Sequence, residues 1–345
     1  METTDFLLFP GMDALDHSAS VTDYENALKK YFNATYCVSL TSGTAAIIVA
    51  LQAVGIQSGD EVITSAAAPL CTAFPILSTG AKLVFSDCSQ THFGLDIAGL
   101  HQSLTRKTKA IVEVPMWGYG IPAEAIELWA AEREIPLIFD LAHCAGTLYK
   151  GVPLSHFCDI ACFSTQKNKM FSTGEGGFLL TDNEAYYERA LSYSRMGNLN
   201  GIDFGVNYRL SPYLAEKGIL TLAQLPDNLA LRAQQSHKLT ALINHPAVRE
   251  LEVVPGSVPS YQRLLLQSDQ GGGALAGYLV KEGIPSDMKK YNILPLYNYP
   301  VLKKYRADCP NTEHLLETTT TIPVHYRYTP EQLAQMATII NNYTY

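Results

Sequence analysis

Apolar residues fall in short unbroken runs along this chain, and stretches with a helical apolar stripe separate them. Tyr36–Leu40, Val62–Thr64, Leu83–Ser86, Ala110–Val114, Leu137–Phe139, Cys158–Phe163 and Phe178–Thr181 read as buried strands. Between them the spacing predicts helices over Ala45–Val54, Thr72–Ser78, Ile97–Leu104 and Ala123–Arg133, with another from Asp182 to Tyr193. Such alternation implies an α/β architecture: a mainly parallel sheet covered by helices on both faces. Ahead of it, Thr22-Asp-Tyr-Glu25 has the form of a capping box that opens a helix running to about Phe32.

Past Tyr193 the pattern changes. Arg195–Gly201 is rich in glycine and asparagine and has no apolar stripe, and Gly205–Ser211 leads into a long helical region interrupted at Pro226 and ending near Ile243. His245-Pro246 marks a hinge. The remainder of the chain reads as a smaller α+β unit, with strands at Glu252–Val254, Arg263–Leu266 and Thr321–Val324, a helix over Gly273–Glu282, and a terminal helix capped near Thr329-Pro-Glu-Gln332. We therefore expect a large domain over residues 1–243 and a small C-terminal domain over 244–345. The 345-residue length agrees with two units, because single cores stop growing at roughly 250–300 residues.

Composition narrows the function classes. With 47% hydrophobic and 17% charged residues and a net charge of −8 without a basic run, nothing favours nucleic acid or an anionic membrane. Met1-Glu-Thr-Thr-Asp-Phe6 is acidic where a secretory leader needs basic residues, and no apolar run reaches about 18 residues, so a cytoplasmic location is expected. Seven cysteines, with no CxxC pair, lie mostly in apolar runs and read as reduced core residues.

The chemistry gathers where strands end. Thr41-Ser-Gly-Thr44 between a strand and a helix is a cradle for an anion, phosphate above all, since free N–H groups, hydroxyls and the helix dipole converge there. Asp140 follows Ile-Pro-Leu-Ile-Phe, and a carboxylate in such surroundings needs a paired cation, a metal or strong hydrogen bonds. His143 alone is thin evidence for a metal, so a protonated ring nitrogen suits Asp140 better. Ser164 closes the next strand. Beyond it lies a polar loop with Lys167 and Lys169, ending in Gly174-Glu-Gly-Gly177. A lysine held there loses hydration, which lowers its pKa and frees the amine as a nucleophile.

Taken together, Thr41-Ser-Gly-Thr-Ala-Ala46, Asp140-Leu-Ala-His143, Phe163-Ser164, Lys169, Gly174-Glu-Gly-Gly177 and Asn207-Tyr-Arg-Leu-Ser211 resemble the DegT/DnrJ/EryC1/StrS family of sugar aminotransferases. The resemblance runs from about Tyr24 to the C-terminus. It implies the aspartate aminotransferase fold (fold type I, with a seven-stranded sheet) and pyridoxal 5'-phosphate (PLP) as cofactor. It also implies an amino donor such as glutamate or glutamine, a keto sugar or cyclitol-like acceptor, and a homodimer with shared active sites. By the same resemblance Ser42, Gly43, Thr44 and Ser164 form the phosphate cup, Asp140 partners the pyridine nitrogen, and Asn207 reaches the neighbouring subunit's phosphate. Counting from both flanking motifs, the lysine that carries the cofactor falls on Lys169 rather than Lys167.

Several positions depart from the family pattern. His143 replaces the usual glutamine beside the cofactor's phenolic oxygen, and Pro69 replaces a ring-stacking aromatic. Pro115-Met-Trp-Gly118 and Pro295-Leu-Tyr297 replace segments that border the substrate. From these, and from the absence of a basic run, we expect a small apolar acceptor pocket walled by Trp117, Tyr119 and Tyr297, although Arg195 or Arg209 could still bind phosphate. Some relatives are dehydratases with histidine in place of the lysine, and Lys169 argues against that reading. A non-catalytic sugar sensor on the same fold would form no pyridoxamine phosphate (PMP). The turn lacks GxGxxG, which disfavours a nicotinamide enzyme.

Overall fold

The computed structural model describes residues 18–344, so the acidic N-terminal segment Met1–Phe6 lies outside the described residues. The strands are β1 (Tyr36–Leu40), β2 (Glu61–Ser65), β3 (Lys82–Ser86), β4 (Thr108–Glu113), β5 (Leu137–Asp140), β6 (Leu148–Tyr149), β7 (Val152–Pro153), β8 (Ile160–Ser164), β9 (Gly177–Thr181), β10 (Val248–Glu250), β11 (Ser257–Val258), β12 (Leu264–Ser268) and β13 (Thr319–Ile322). The helices are α1 (Ala19–Phe32), α2 (Gly43–Ala53), α3 (Leu70–Ser78), α4 (Ile97–Ser103), α5 (Ala123–Ala131), α6 (Glu184–Ser194), α7 (Pro212–Ala223), α8 (Leu225–Leu242), α9 (Gly272–Lys281), α10 (Asp287–Lys290), α11 (Pro310–Thr318) and α12 (Pro330–Asn341).

Seven strands make the main sheet in the order β1-β9-β8-β5-β4-β2-β3. Only β9 runs against its neighbours, pairing antiparallel with β1 and β8; the pairs among β8, β5, β4, β2 and β3 are parallel. Because side chains alternate across a strand, Ile138, Cys162 and Leu179 join one core with Ile47 and Leu51 of α2. Phe139, Phe163 and Phe178 face the other way, into a core with Leu28 of α1, Ile126 of α5 and Leu222 of α7. Asp140 and Ser164 share the parity of Ile138 and Cys162, and Asp140 is in register with Cys162. Both polar groups therefore emerge on the α2 side at the ends of adjacent strands. A smaller sheet, β10-β12-β13, comes after α8, and α8 packs on α12.

Some local expectations are corrected. The first helix starts at Ala19 with Ser18 as its cap, and the expected box partner Glu25 instead accepts 2.8 Å hydrogen bonds from the backbone N–H and hydroxyl of Ser39. Tertiary anchoring of β1 wins over local capping. The strand expected at Glu252–Val254 lies earlier, at Val248–Glu250, where Val248 and Glu250 find partners on β12. The break near Pro226 is real: α7 ends at Ala223 and Pro226 sits in the first turn of α8, where its missing N–H costs nothing. The Thr329–Gln332 capping box is present in full. Cysteines 37, 88, 144, 162 and 309 are buried and all seven are free, but Cys71 is exposed rather than part of the core. Among the described residues no helix is long and apolar enough to cross a membrane.

Candidate active site

The anion cradle forms because α2 begins directly at the end of the sheet. Ser42 is its N-cap, with the hydroxyl accepting from the Ala45 N–H at 3.0 Å, which leaves the hydroxyl proton for a ligand. Gly43 and Gly177 let the pieces close up. A Cβ on Gly43 would lie 2.7 Å from the Ser164 Cβ, and one on Gly177 would lie 2.5 Å from the Ser42 carbonyl. Ser42, Gly43, Thr44 and Ser164 thus meet at one helix N-terminus, a cup for an oxyanion.

Asp140 is only 4% exposed. It accepts 2.6 Å from the Thr72 hydroxyl and 3.1 Å from the Ala142 N–H. Burial raises its pKa; those two hydrogen bonds and the charge of Lys169 oppose the rise. No ion pair to Asp140 is seen among the described residues. Thr72 was missed in the sequence because a threonine in an apolar helix looks like packing. Its signal was its place near the start of α3, beyond the end of β2.

Lys169 is half-buried, in the turn after β8, with its N–H bonded to the Gln166 carbonyl at 2.9 Å. Burial lowers its pKa, while the nearby Asp140 and Cys71 work the other way. Lys167 is exposed. The two lysines of one loop therefore differ in burial.

His143 accepts a 3.3 Å hydrogen bond from the Trp117 N–H at Nδ1. Accepting there requires a neutral ring with its proton on Nε2. Burial, then the charges of Lys169 and Arg263, push its pKa well below 6.5. The histidine reads as a constant donor at Nε2, not as a switch near neutral pH. Only the unfolded chain protonates this ring near pH 6.5, so stability is unaffected above that value and is lost as pH falls below it. In denaturant unfolding of the cofactor-free protein at pH 7, 6 and 5, His143→Gln is expected to show a shallower loss, by up to about 1.4 kcal/mol per pH unit. Equal slopes for the two proteins would contradict the neutral, buried ring.

Asn207 is exposed, and its Oδ1 accepts from the Arg209 N–H and Nε. The segment is pinned beside the cup of its own chain, since the Thr41 N–H donates to the Tyr208 carbonyl at 2.9 Å. Pro69 is the N-cap residue of α3, and no aromatic side chain stands at that position. Trp117, Tyr119 and Tyr297 are 2–5% exposed. The tyrosine hydroxyls donate to Glu250 and Glu313.

None of these three aromatic residues lines the cleft that opens beside Lys169. That cleft, about 660 Å³, is bordered by Lys167, Lys169, Arg232, Arg263 and Lys290, and neither Asp140, His143, Ser164 nor the Thr41–Thr44 turn lines it. Its arginines are far apart in sequence and converge only through the fold. Among the described residues, no group of three or more His, Cys, Asp or Glu side chains could hold a metal ion.

With this geometry in hand, comparison with known proteins decides the family. The family model described as the DegT/DnrJ/EryC1/StrS aminotransferase family matches residues 12–341. The chain belongs to this family. It is 31% identical to GDP-perosamine synthase of Escherichia coli O157:H7 over 219 residues, which cover 62% of this chain and 60% of that protein. It is 26% identical over 309 residues to UDP-2-acetamido-2-deoxy-3-oxo-D-glucuronate aminotransferase of Pseudomonas aeruginosa, covering 88% of this chain and 85% of that one. Among solved structures, Spr1654 of Streptococcus pneumoniae, a candidate sugar aminotransferase in its PMP form, superposes with a TM-score of 0.87. That match has 22% identity and covers 94% of this chain and 90% of that chain. This member of the aminotransferase family has the α/β fold of these neighbours, with its mainly parallel sheet.

Proposed function

We propose that this enzyme moves an amino group from glutamate or glutamine to a keto sugar or cyclitol-like acceptor, with PLP as cofactor. The observation that carries the reading is the convergence on one side of the sheet of an anion cup, a buried carboxylate and a desolvated lysine. The names of two relatives, a synthase of a GDP-linked sugar and an aminotransferase acting on a 3-oxo sugar nucleotide, support the acceptor class.

The residues fit PLP group by group. Ser42, Gly43, Thr44 and Ser164 would hold the phosphate, Asp140 the protonated pyridine nitrogen, His143 Nε2–H the phenolic oxygen, and Lys169 the carbonyl carbon. When bound, the cofactor supplies an electron sink for the carbon that loses its proton. Lys169, with its amine proton affinity lowered by burial, would take the proton from the donor's α-carbon and hold it at Nζ. Asp140 would keep a ring nitrogen protonated, and Thr72 and the Ala142 N–H hold the carboxylate in place. His143 keeps its orientation through Trp117.

We further propose a cytoplasmic homodimer, with a large unit over 1–243 and a smaller one over 244–345. Ile202, Phe204 and Tyr213 are 86%, 79% and 83% exposed close to Asn207, an apolar surface of the kind that a second subunit covers. Purified protein loaded with PLP and given glutamate or glutamine should accumulate PMP, and that form should aminate members of a keto sugar and cyclitol panel. No PMP with any donor would sink the transaminase reading. To test sharing, a Lys169→Ala chain mixed with an Asn207→Ala chain should recover one sound site per heterodimer. Activity no better than the parents' average would assign Asn207 to its own chain.

A further inference from the structure

The segment Ser260–Arg263 runs along Trp117-Gly118 before it becomes β12, the middle strand of the smaller sheet. The Ser260 N–H donates to the Gly118 carbonyl at 2.9 Å, and the Arg263 N–H to the Trp117 carbonyl at 3.1 Å. So close an approach needs glycine at 118: its φ is +90°, and a Cβ there would lie 2.6 Å from the backbone nitrogen of Gln262. Trp117 has φ 54°, in the left-handed region that disfavours a bulky side chain. Strain of this kind persists where surrounding contacts impose it, and it gathers at functional sites. The N–H of the same Trp117 holds His143.

A side chain of this segment reaches the lysine loop. Gln262 is 5% exposed, and its Nε2 donates at 2.9 Å to the carbonyl of Asn168, the residue before Lys169. Asn168 and Lys169 give their own N–H groups to Gln166 within the loop, so Gln262 supplies a tie from outside it. The Gln262 Oε1 is buried without a donor among the described residues. An unmatched buried acceptor destabilises a fold, and an apolar side chain of the same length would fill the space without that penalty. Asn168 is exposed, so its carbonyl would turn to water if Gln262 were gone. The amide is therefore explained by where it holds the loop, not by a buried group that it satisfies. We propose that Gln262 is a positioning residue for amino transfer, tying the loop at Asn168 so that β12 and the smaller sheet set where the Lys169 amine stands. The inference rests on the proposed function only in giving Lys169 the proton transfer. Because Ser260–Arg263 also fixes the Trp117 turn, a shift of β12 against the main sheet moves Lys169 and His143 together.

The test is Gln262→Met, an apolar side chain of the same length. In the cofactor-free protein, hydrogen exchange of the peptide spanning residues 165–170 should quicken about tenfold or more, while the denaturation midpoint stays at or above that of wild type. In the PLP-loaded enzyme, kcat for PMP formation should fall about tenfold or more, with the donor KM within about threefold of wild type. The pH midpoint of the visible absorbance of bound PLP should move as well, a readout that a merely structural residue would leave alone. Gln262→His, whose ring N–H reaches toward the same carbonyl, should restore both exchange and kcat. Gln262→Asn, which keeps an amide but falls short of Asn168, carries the same expectation as the methionine variant if that one folds poorly. Unchanged exchange or an unchanged kcat overturns the proposal, and so does a loss of kcat that tracks a fall in overall stability. If wild type forms no PMP with any donor, the transaminase reading alone has failed, and exchange of the loop in the cofactor-free protein still decides whether Gln262 ties it.

Discussion

Lys169→Ala is expected to reduce amino transfer by at least about 10⁴-fold, because one change removes both the covalent attachment and the proton carrier. The cofactor should then wash out on dialysis. Lys167→Ala should stay within about threefold of wild type, since that side chain is exposed and has no role in the proton transfer. Borohydride reduction of the PLP-loaded enzyme followed by peptide mapping should place the label on Lys169. Label on Lys167 would reverse the assignment. The contrast rests on physical differences within one loop: burial lowers the proton affinity of Lys169, and Asp140 is close enough to act on its charge.

Asp140→Asn should slow PMP formation by about 10³-fold or more in stopped-flow measurements, while the fold survives. An amide still accepts from the Thr72 hydroxyl through its one oxygen and gives up only the 3.1 Å bond from the Ala142 N–H, so local packing is kept. It cannot hold a proton on a ring nitrogen by charge, and each factor of ten in rate corresponds to about 1.4 kcal/mol of lost transition-state stabilisation. Stability should move the other way. Because burial raises the Asp140 pKa, the charged form destabilises the cofactor-free fold above the unfolded carboxylate range, near pH 4, and the neutral amide removes that penalty. A cofactor-free variant that melts at or above wild type and yet reacts slowly would show stability given up for chemistry. A near-wild-type rate would make Asp140 merely structural.

Much of the architecture was legible because buried parallel strands are written as continuous apolar runs, and each of the seven expected strands of the main sheet is found within a few residues. The positions of the Thr41–Thr44 turn, Asp140 and Lys169 at strand ends were legible because strand ends impose local sequence: small residues where a helix must start at once, and a carboxylate after an apolar run. What depends on distant partners was not. Glu25 looked like a cap but serves Ser39, and the choice of Val248–Glu250 over Glu252–Val254 was made by β12. Arg232 sits in a helix whose other charges and amides read as a solvated face, and nothing local marks it as buried. The basic cleft is the plainest example, since its cations come from four separate regions of the chain.

The pairing of β1 with β9 has a consequence for how the protein is made. Within the sheet β1 touches β9 alone, so a ribosome that has released Leu40 must still synthesise the chain as far as Thr181 before that strand can be paired. At ordinary elongation rates this takes about 10–30 s. Throughout that interval the hydrophobic strand Tyr36–Leu40 is an open edge, and the turn at Ser42 lacks its neighbour, because Gly177 has not yet arrived to meet it. A phosphate held there, as proposed above, would therefore bind only a chain that has already closed its sheet, and could not help the nascent protein to fold early.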